Sequence, residues 1–342
     1  MISRILIVGL GSAGTRHLGL ALGLFPEAEI KVLRNQGREV DPKYGVSCLE
    51  SFDEAIQFAP QIAVIANPST HHLPIALALA HQGTHLLIEK PLSASLVGVQ
   101  KLIDTCRTKK TVLMVGYNLR FSPSLLQFFQ LVKSSYVGEI FSVRSEVGQY
   151  LPNWRPETDY RKGVSANQAL GGGVMLELSH EIDYLQWIFG EIDWVSASLS
   201  RQSLLEIDVE DSAHLIMGFK SQSSDQQLIA TLNLDFIRQD QTRYCVAIGD
   251  KGSLRWDGIN GQVSVIEKGG SEWKVVFTSE PSNEKTYLSE WLTFIDRVNN
   301  LAIPSEQGLE EIRVMEVVES ARLSSKRKAQ VSVSEVREMN WL

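Results

Sequence analysis

Gly9, Gly11 and Gly14 stand at G-x-G-x-x-G spacing within Gly9-Leu10-Gly11-Ser12-Ala13-Gly14. Between a strand and a helix, the first glycine allows a tight turn. The second lets backbone approach a pyrophosphate, and the third allows close helix–strand packing. A helix starting at Ser12 or Ala13 adds N–H groups and partial positive charge for phosphate. The motif therefore points to a dinucleotide; a glycine-rich turn without a ligand is the competing reading. Lys90, in Glu89-Lys90-Pro91, ends an apolar run. Pro91 biases it toward an extended backbone, from which its ammonium can face a developing alkoxide or a nicotinamide ribose. A surface lysine before a turn proline is the alternative. His180 lies in a segment of helical period, Gly173 to Phe189. There Glu177, His180, Tyr184 and Trp187 fall at i, i+3, i+7 and i+10 on one face. Leu178, Ile182, Leu185, Ile188 and Phe189 form the apolar stripe. A histidine beside a carboxylate suits proton abstraction from a hydroxyl near neutral pH; a surface pair or a core histidine would look the same.

These groups need elements to hold them. In residues 1–118 the aliphatic runs Ile5–Val8, Ile30–Leu33, Ile62–Ala66, His85–Ile88 and Val112–Val115 read as buried strands. Helical patterns at Ala13–Leu24, Leu73–Gln82 and Leu96–Arg107 separate several of them. That alternation predicts an α/β, doubly wound parallel sheet with ligands beyond the strand C-termini. Asn67-Pro68 with His72, and Glu89-Lys90, fall at that edge. From 119 to 342 the pattern changes: a helix over Ser122–Lys133, a strand over Glu139–Val147 and a long loop over Leu151–Gln168. After the helix to Phe189 come strands at Trp194–Leu199, Ala213–Phe219, Gln227–Leu234, Arg243–Ile248, Ser253–Trp256 and Val263–Glu267. Helices follow at Tyr287–Asn299 and Leu309–Leu323. Strands in succession predict a second α/β domain with an open, mostly antiparallel sheet.

Composition bounds the function. The chain has 342 residues, 44% hydrophobic and 21% charged, which fits two globular domains. A net charge of −7 argues against a general nucleic-acid or anionic-membrane binder. Cys48, Cys106 and Cys245 show no metal spacing and fit a reducing cytoplasm. His81 and His85 are interrupted by Gly83, so no metal site is expected. The apolar run at Ile5–Val8 is too short for a signal-peptide core, and no run of about 18 apolar residues exists to cross a bilayer.

The second strand ends Leu33-Arg34-Asn35-Gln36, with Arg38 close behind. NAD sites place a carboxylate there for the ribose hydroxyls. Arg34 instead suits a 2′-phosphate, which favours NADP over NAD. Tyr150 to Lys162 is rich in rings and cations: Trp154 and Tyr160 suit sugar faces, and Arg155 suits phosphate or carboxylate. The same residues would equally pin a long loop. Asn118 and Arg120, just after the fifth strand, are candidate substrate contacts, with hydrogen bonding at the domain junction as the alternative.

The sequence resembles the Gfo/Idh/MocA oxidoreductases, the family of glucose-fructose oxidoreductase and inositol dehydrogenase. The resemblance covers nearly the whole chain. It rests on Gly9 to Gly14 with Arg16-His17, Asn67-Pro68 with His72, Glu89-Lys90-Pro91, Gly116-Tyr117-Asn118-Leu119-Arg120-Phe121, Gly138-Glu139-Ile140, and Gly171-Gly172-Gly173 with His180 and Asp183. It implies a Rossmann domain, then a domain carrying substrate pocket and homodimer or homotetramer interface on its sheet. It also implies His180 as catalytic histidine and His72 near the cofactor. The family's catalytic aspartate usually lies four residues before the histidine. Here that position is Leu176, and the acidic residue is Glu177 at three. A surface-sugar biosynthesis subgroup shares the Leu-Ser-His-Glu variant, which implies a sugar, amino sugar, sugar nucleotide or inositol-like polyol as substrate. Hydride transfer would need Lys90 and His180 to converge over one nicotinamide. Rival functions are a cofactor-binding regulator without turnover and an NAD-dependent glycosidase-type lyase that recycles its cofactor. Fluorescence titration is expected to show NADPH binding more tightly than NADH; the reverse order would overturn the reading of Arg34.

Overall fold

The computed structural model describes residues 2–34, 40–220, 226–300, 309–339 and 341. They divide into two compact units: Met1–Tyr117 with Tyr287–Met315 and Trp341–Leu342, and Asn118–Thr286 with Glu316–Asn340. The sequence places one boundary near residue 118; the first unit also takes in a later segment.

The first unit carries six strands, β1 (Arg4–Val8), β2 (Glu29–Leu33), β3 (Ser47–Leu49), β4 (Ile62–Ile65), β5 (His85–Glu89) and β6 (Leu113–Gly116). They pair in parallel in the order β3-β2-β1-β4-β5-β6, so the order reverses between β1 and β4. Ile5, Leu6, Ile7, Ile62, Val64 and Leu87 are fully buried, as helix cover on both faces requires. Helices α1 (Ser12–Leu24), α2 (Phe52–Gln57), α3 (His72–His81) and α4 (Val99–Lys109) alternate with the strands. The helix expected at Leu96–Arg107 starts instead at Val99, because Gly98 takes a left-handed conformation ahead of it. β3 and α2, of three and six residues, are too short to give a periodicity signal.

The second unit begins with α5 (Pro123–Lys133) and β7 (Ile140–Gly148), followed by four short 3-10 turns in the expected loop. The single helix expected from Gly173 to Phe189 is two: α6 (Val174–Glu177) and α7 (His180–Phe189). Leu178, at φ −103° and ψ 26°, breaks the ladder between them. Strands β8 (Ile192–Ser200), β9 (Ser212–Phe219), β10 (Ile229–Asp235), β11 (Thr242–Gly249), β12 (Gly252–Asp257), β13 (Gln262–Glu267) and β14 (Lys274–Thr278) follow. The chain then forms α8 (Asn283–Asn299), α9 (Leu309–Arg327), β15 (Val331–Ser332) and α10 (Val333–Glu338). The nine-stranded sheet runs β14-β13-β12-β11-β7-β10-β9-β8-β15, antiparallel except for β7 beside β10. Alternation along β9 buries Ala213, Leu215 and Met217 and exposes His214 and Ile216. On the buried face, Trp256 donates to Ser124 of α5 at 3.0 Å. Ser145 and Tyr184 of α7 share a 2.5 Å hydrogen bond on the same face. Both polar groups are thereby satisfied inside an apolar layer.

From Tyr287 onward α8 belongs to the first unit. Trp291 and Phe294 are fully buried there, and Trp291 Nε1 donates to His17 Nδ1 at 2.9 Å. His17 lies in the buried stripe of α1 with Gly14, Leu18 and Ala21, so the bond joins two helices through their apolar faces. A Trp291→Phe variant leaves His17 Nδ1 without that donor and opens a small cavity. It is expected to lose about 2–4 kcal/mol in denaturant unfolding; an unchanged midpoint would show that the bond contributes nothing.

Candidate active site

Gly9 follows β1 at φ +87°, and a Cβ there would lie 2.8 Å from Ala66 O. At Gly14 a Cβ would lie 2.1 Å from Gly9 O, so both glycines are required by the loop's own packing. Gly11 differs: among the described residues no atom lies within 4 Å of its Cβ position. α1 begins directly after it at Ser12 with no side-chain cap, followed by Ala13. At the end of β4, Asn67 Oδ1 is buried and has no partner among the described residues. An open backbone face, an uncapped helix start and an orphaned polar atom fit a polar, phosphate-bearing ligand at this sheet edge. Arg34 is half-buried after β2; Asn35, Gln36 and Arg38 lie outside the described residues.

Glu89 turns inward at the end of β5 and is 7% exposed. Its Oε1 lies 2.9 Å from His17 Nε2. An indole N–H only donates, so Trp291 occupies His17 Nδ1 as an acceptor; the ring proton then sits on Nε2 and points at Glu89. Glu89 Oε2 accepts the backbone N–H of Lys90 at 3.2 Å, and the Tyr287 hydroxyl also bonds this carboxylate. Burial alone would raise the Glu89 pKa, but His17, Lys90 and Tyr287 together hold it below the usual carboxylate range. After Lys90, His72 ties down the chain: Nδ1 faces Pro91 O at 3.1 Å and Leu92 O at 3.3 Å, while Nε2 faces Asn67 O at 2.7 Å. Burial pushes the His72 pKa down, so the neutral ring donates from one nitrogen at a time. His72 and Glu89, expected as cofactor contacts, thus bond the protein itself: His72 the backbone beside Pro68 and Lys90, Glu89 the side chains of His17 and Tyr287 and the N–H of Lys90.

In the second unit His180 opens α7 and is half-buried. Two carboxylates of that helix are buried and each meets a guanidinium. Arg120 donates to both oxygens of Asp183, at 2.9 and 2.7 Å, and Arg243 Nε donates to Glu181 at 2.8 Å. Asn118 is buried and donates to Thr286. The expected common face of Glu177, His180, Tyr184 and Trp187 loses Glu177, because the ladder breaks after that residue; the other three keep i, i+4 and i+7 spacing on α7. Glu177 closes α6 and accepts from Ser165 at 2.9 Å. Tyr184 is in the core, and Trp187 stacks on Phe129 at 4.3 Å. Leu176 is also buried in the core, so the site offers no carboxylate at that position. At Gly173, φ +100°, a Cβ would lie 2.4 Å from Glu210 Oε1, the oxygen that accepts from Met175 N. The triplet's last glycine therefore admits a carboxylate at the start of α6.

The aromatic loop is tied to its own unit. Trp154 donates to Gln149 O at 3.1 Å and meets Phe236 edge-on, and the Tyr160 hydroxyl accepts from Glu206 N. Arg155 is exposed. His17, Tyr287, Glu290 and Trp291 escaped the reading of the sequence as site residues. Their signal was present: Tyr287, Glu290 and Phe294 fall at i, i+3 and i+7, placing a glutamate in an apolar stripe.

Residues 3–117 match the model of an oxidoreductase family with an NAD-binding Rossmann fold. Residues 125–255 match the GFO/IDH/MocA C-terminal domain. The myo-inositol 2-dehydrogenase of Thermotoga maritima is 25% identical over 97% of this chain and 99% of that protein. A levoglucosan dehydrogenase solved in complex with NADH superposes with a TM-score of 0.83 at 19% identity, over 97% of this chain and 99% of that one. The WlbA dehydrogenase of Bordetella pertussis, solved with NADH and UDP-GlcNAcA, gives 0.75 at 18% identity over 97% of each chain. The structural likenesses establish the fold.

Removing one partner of a buried ion pair strands the other charge. Arg120→Leu is therefore expected to cost about 3–5 kcal/mol. The double variant Arg120→Leu/Asp183→Leu should recover most of that loss in denaturant unfolding. Additive losses in the double variant would show that the two side chains act independently.

Proposed function

The chain belongs to the Gfo/Idh/MocA oxidoreductase family, and from that premise we propose that it is an NAD(P)-dependent dehydrogenase or reductase. Its substrate is a sugar-like polyol: a sugar, amino sugar, sugar nucleotide or inositol. The observation that carries this reading is the fixing of Lys90. Its backbone N–H is held by a carboxylate that His17 and Tyr287 lock in turn, at the C-terminal edge of the sheet bearing the glycine loop. In open parallel sheets that edge is where nucleotides bind.

Gly9, Gly11, Ser12, Ala13, Gly14, Asn67 and Pro68 would hold the cofactor, with Arg34 directing the preference to NADP. A bound nicotinamide supplies the hydride acceptor or donor. Lys90 steadies the developing alkoxide and the ribose by its ammonium. His180 takes the hydroxyl proton during oxidation and returns it during reduction. Glu177 is the acidic partner of this site, since Leu176 is committed to the core. Trp154 and Tyr160 offer ring faces, and exposed Arg155 receives an anionic group of the substrate. Arg120 holds α7 through Asp183, and Asn118 and Arg120 together offer polar groups to the substrate. The names of the relatives, inositol and levoglucosan dehydrogenases, support the substrate class. The chain assembles as a homodimer or homotetramer through its nine-stranded sheet, whose second face exposes Ile216, and works in the cytoplasm.

A screen of polyols, sugars and sugar nucleotides, followed by the ultraviolet absorbance of reduced nicotinamide, is expected to find a turned-over substrate. On it, Lys90→Ala and His180→Ala should each lower kcat by about 10²–10⁴ while cofactor affinity stays within a few-fold. Near-normal turnover in either variant removes that residue from the chemistry. Product formation without net absorbance change would favour internal cofactor recycling.

A further inference from the structure

Glu290 of α8 is fully buried, and neither carboxyl oxygen has a hydrogen-bond partner among the described residues. It lies beside Glu89: a carbon at the Cβ position of Gly116 would be 3.4 Å from Glu290 Oε1 and 3.5 Å from Glu89 Oε2. Two carboxyl groups thus flank one glycine at the end of β6. The facing groups are few. Glu89 and Lys90 come from the end of β5, His17 and Arg16 from α1, and Tyr287 from α8 itself. His17, Lys90 N–H and Tyr287 all serve Glu89, and Arg16 lies over the Tyr287 ring at 4.6 Å. Among the described residues no cation or donor bonds Glu290. An ionised, unpaired carboxylate in such a place is not tolerated; the group neutralises instead.

We propose that Glu290 is a positioning residue that stays a neutral carboxylic acid at working pH, so that the carboxyl pair flanking Gly116 carries one negative charge, on Glu89, the neighbour of Lys90. The proton resides on a Glu290 oxygen. A second charge there would draw the Lys90 ammonium back toward the strand end and away from substrate. Burial, and then the facing Glu89 carboxylate, push the Glu290 pKa well above its ordinary range, in agreement with the geometry. The functional half of the proposal rests on the role given to Lys90 above; the protonation half does not.

The sign of the stability linkage follows. Folded Glu290 keeps its proton at pH values where the unfolded chain, with a pKa near ~4.3, releases it. The unfolded state then binds fewer protons, so this residue lowers stability as pH rises from about 5 toward its folded pKa. Glu290→Gln is neutral in both states. In the full chain its folding equilibrium constant, relative to wild type, is expected to rise about tenfold per pH unit from pH ~5 up to the folded pKa of Glu290. A ratio that stays flat or falls with pH overturns the proposal. Should Glu290→Gln fail to fold, infrared spectroscopy of the wild type at neutral pH decides. The carbonyl stretch of a protonated carboxylic acid must be present, and its absence is contrary. For the link to Lys90, the ratio of Glu290→Gln to wild-type kcat on the identified substrate should climb over the pH range in which the wild type loses the carbonyl stretch of its protonated carboxylic acid. Parallel profiles overturn that link even where the stability result holds. If no substrate is found, the stability and infrared results still decide the protonation of Glu290.

Discussion

The hydrogen bond between His17 and Glu89 is the constraint on which the first unit's chemistry depends. It joins the first helix to the end of the fifth strand at 2.9 Å, in a place from which water is excluded. The carboxylate is a poor resident of such a site unless its lone pairs are met. They are met by an imidazole N–H, a phenol and the N–H of the next residue. Each donor comes from a different part of the chain, so satisfying the charge also fixes three backbone segments. Lys90 follows Glu89 directly and inherits that rigidity. The indole of Trp291 completes the arrangement by choosing the tautomer of His17, since only a ring protonated at Nε2 can both accept from it and donate to Glu89.

Much of this architecture was legible because it is local. G-x-G-x-x-G between strand and helix is a short-range signal, and aliphatic runs separated by amphipathic helices declare a parallel sheet. Open antiparallel pairing followed from strands in succession. What could not be read is what long separations create. His17 meets Glu89 across 72 residues and Trp291 across 274. No spacing rule reports such pairs, although a histidine at i+3 from Gly14 and a glutamate within the stripe of α8 were visible as misfits. The break between α6 and α7 was hidden for the opposite reason. The apolar residues keep helical period through Leu178, so the pattern continues although the backbone does not.

That break changes what Glu177 and His180 are to each other. On one continuous helix their separation would be set by the ladder. As the last residue of one helix and the first of the next, each is oriented by its own contacts. Glu177 is drawn to Ser165 in the loop that precedes it. The glycine triplet belongs to the same logic. Val174 N and Met175 N bond the backbone carbonyl and the carboxylate of Glu210, which approaches where a side chain at position 173 would stand.

His180 is held by charge rather than by apolar packing alone. Glu181 and Asp183 are two residues apart, about 200° around a helix turning about 100° per residue. They therefore leave α7 on nearly opposite sides, and both are buried. Arg243, from β11, holds one, and Arg120, from the turn after β6, holds the other. A hydrophobic pair of similar volume would stabilise such a place at least as well, because burying an ion pair returns little net free energy. Two ion pairs on opposed sides do something apolar contacts do less well: they fix the rotation of the helix about its own axis. The first residue of α7 is then aimed by two guanidinium groups that never touch it.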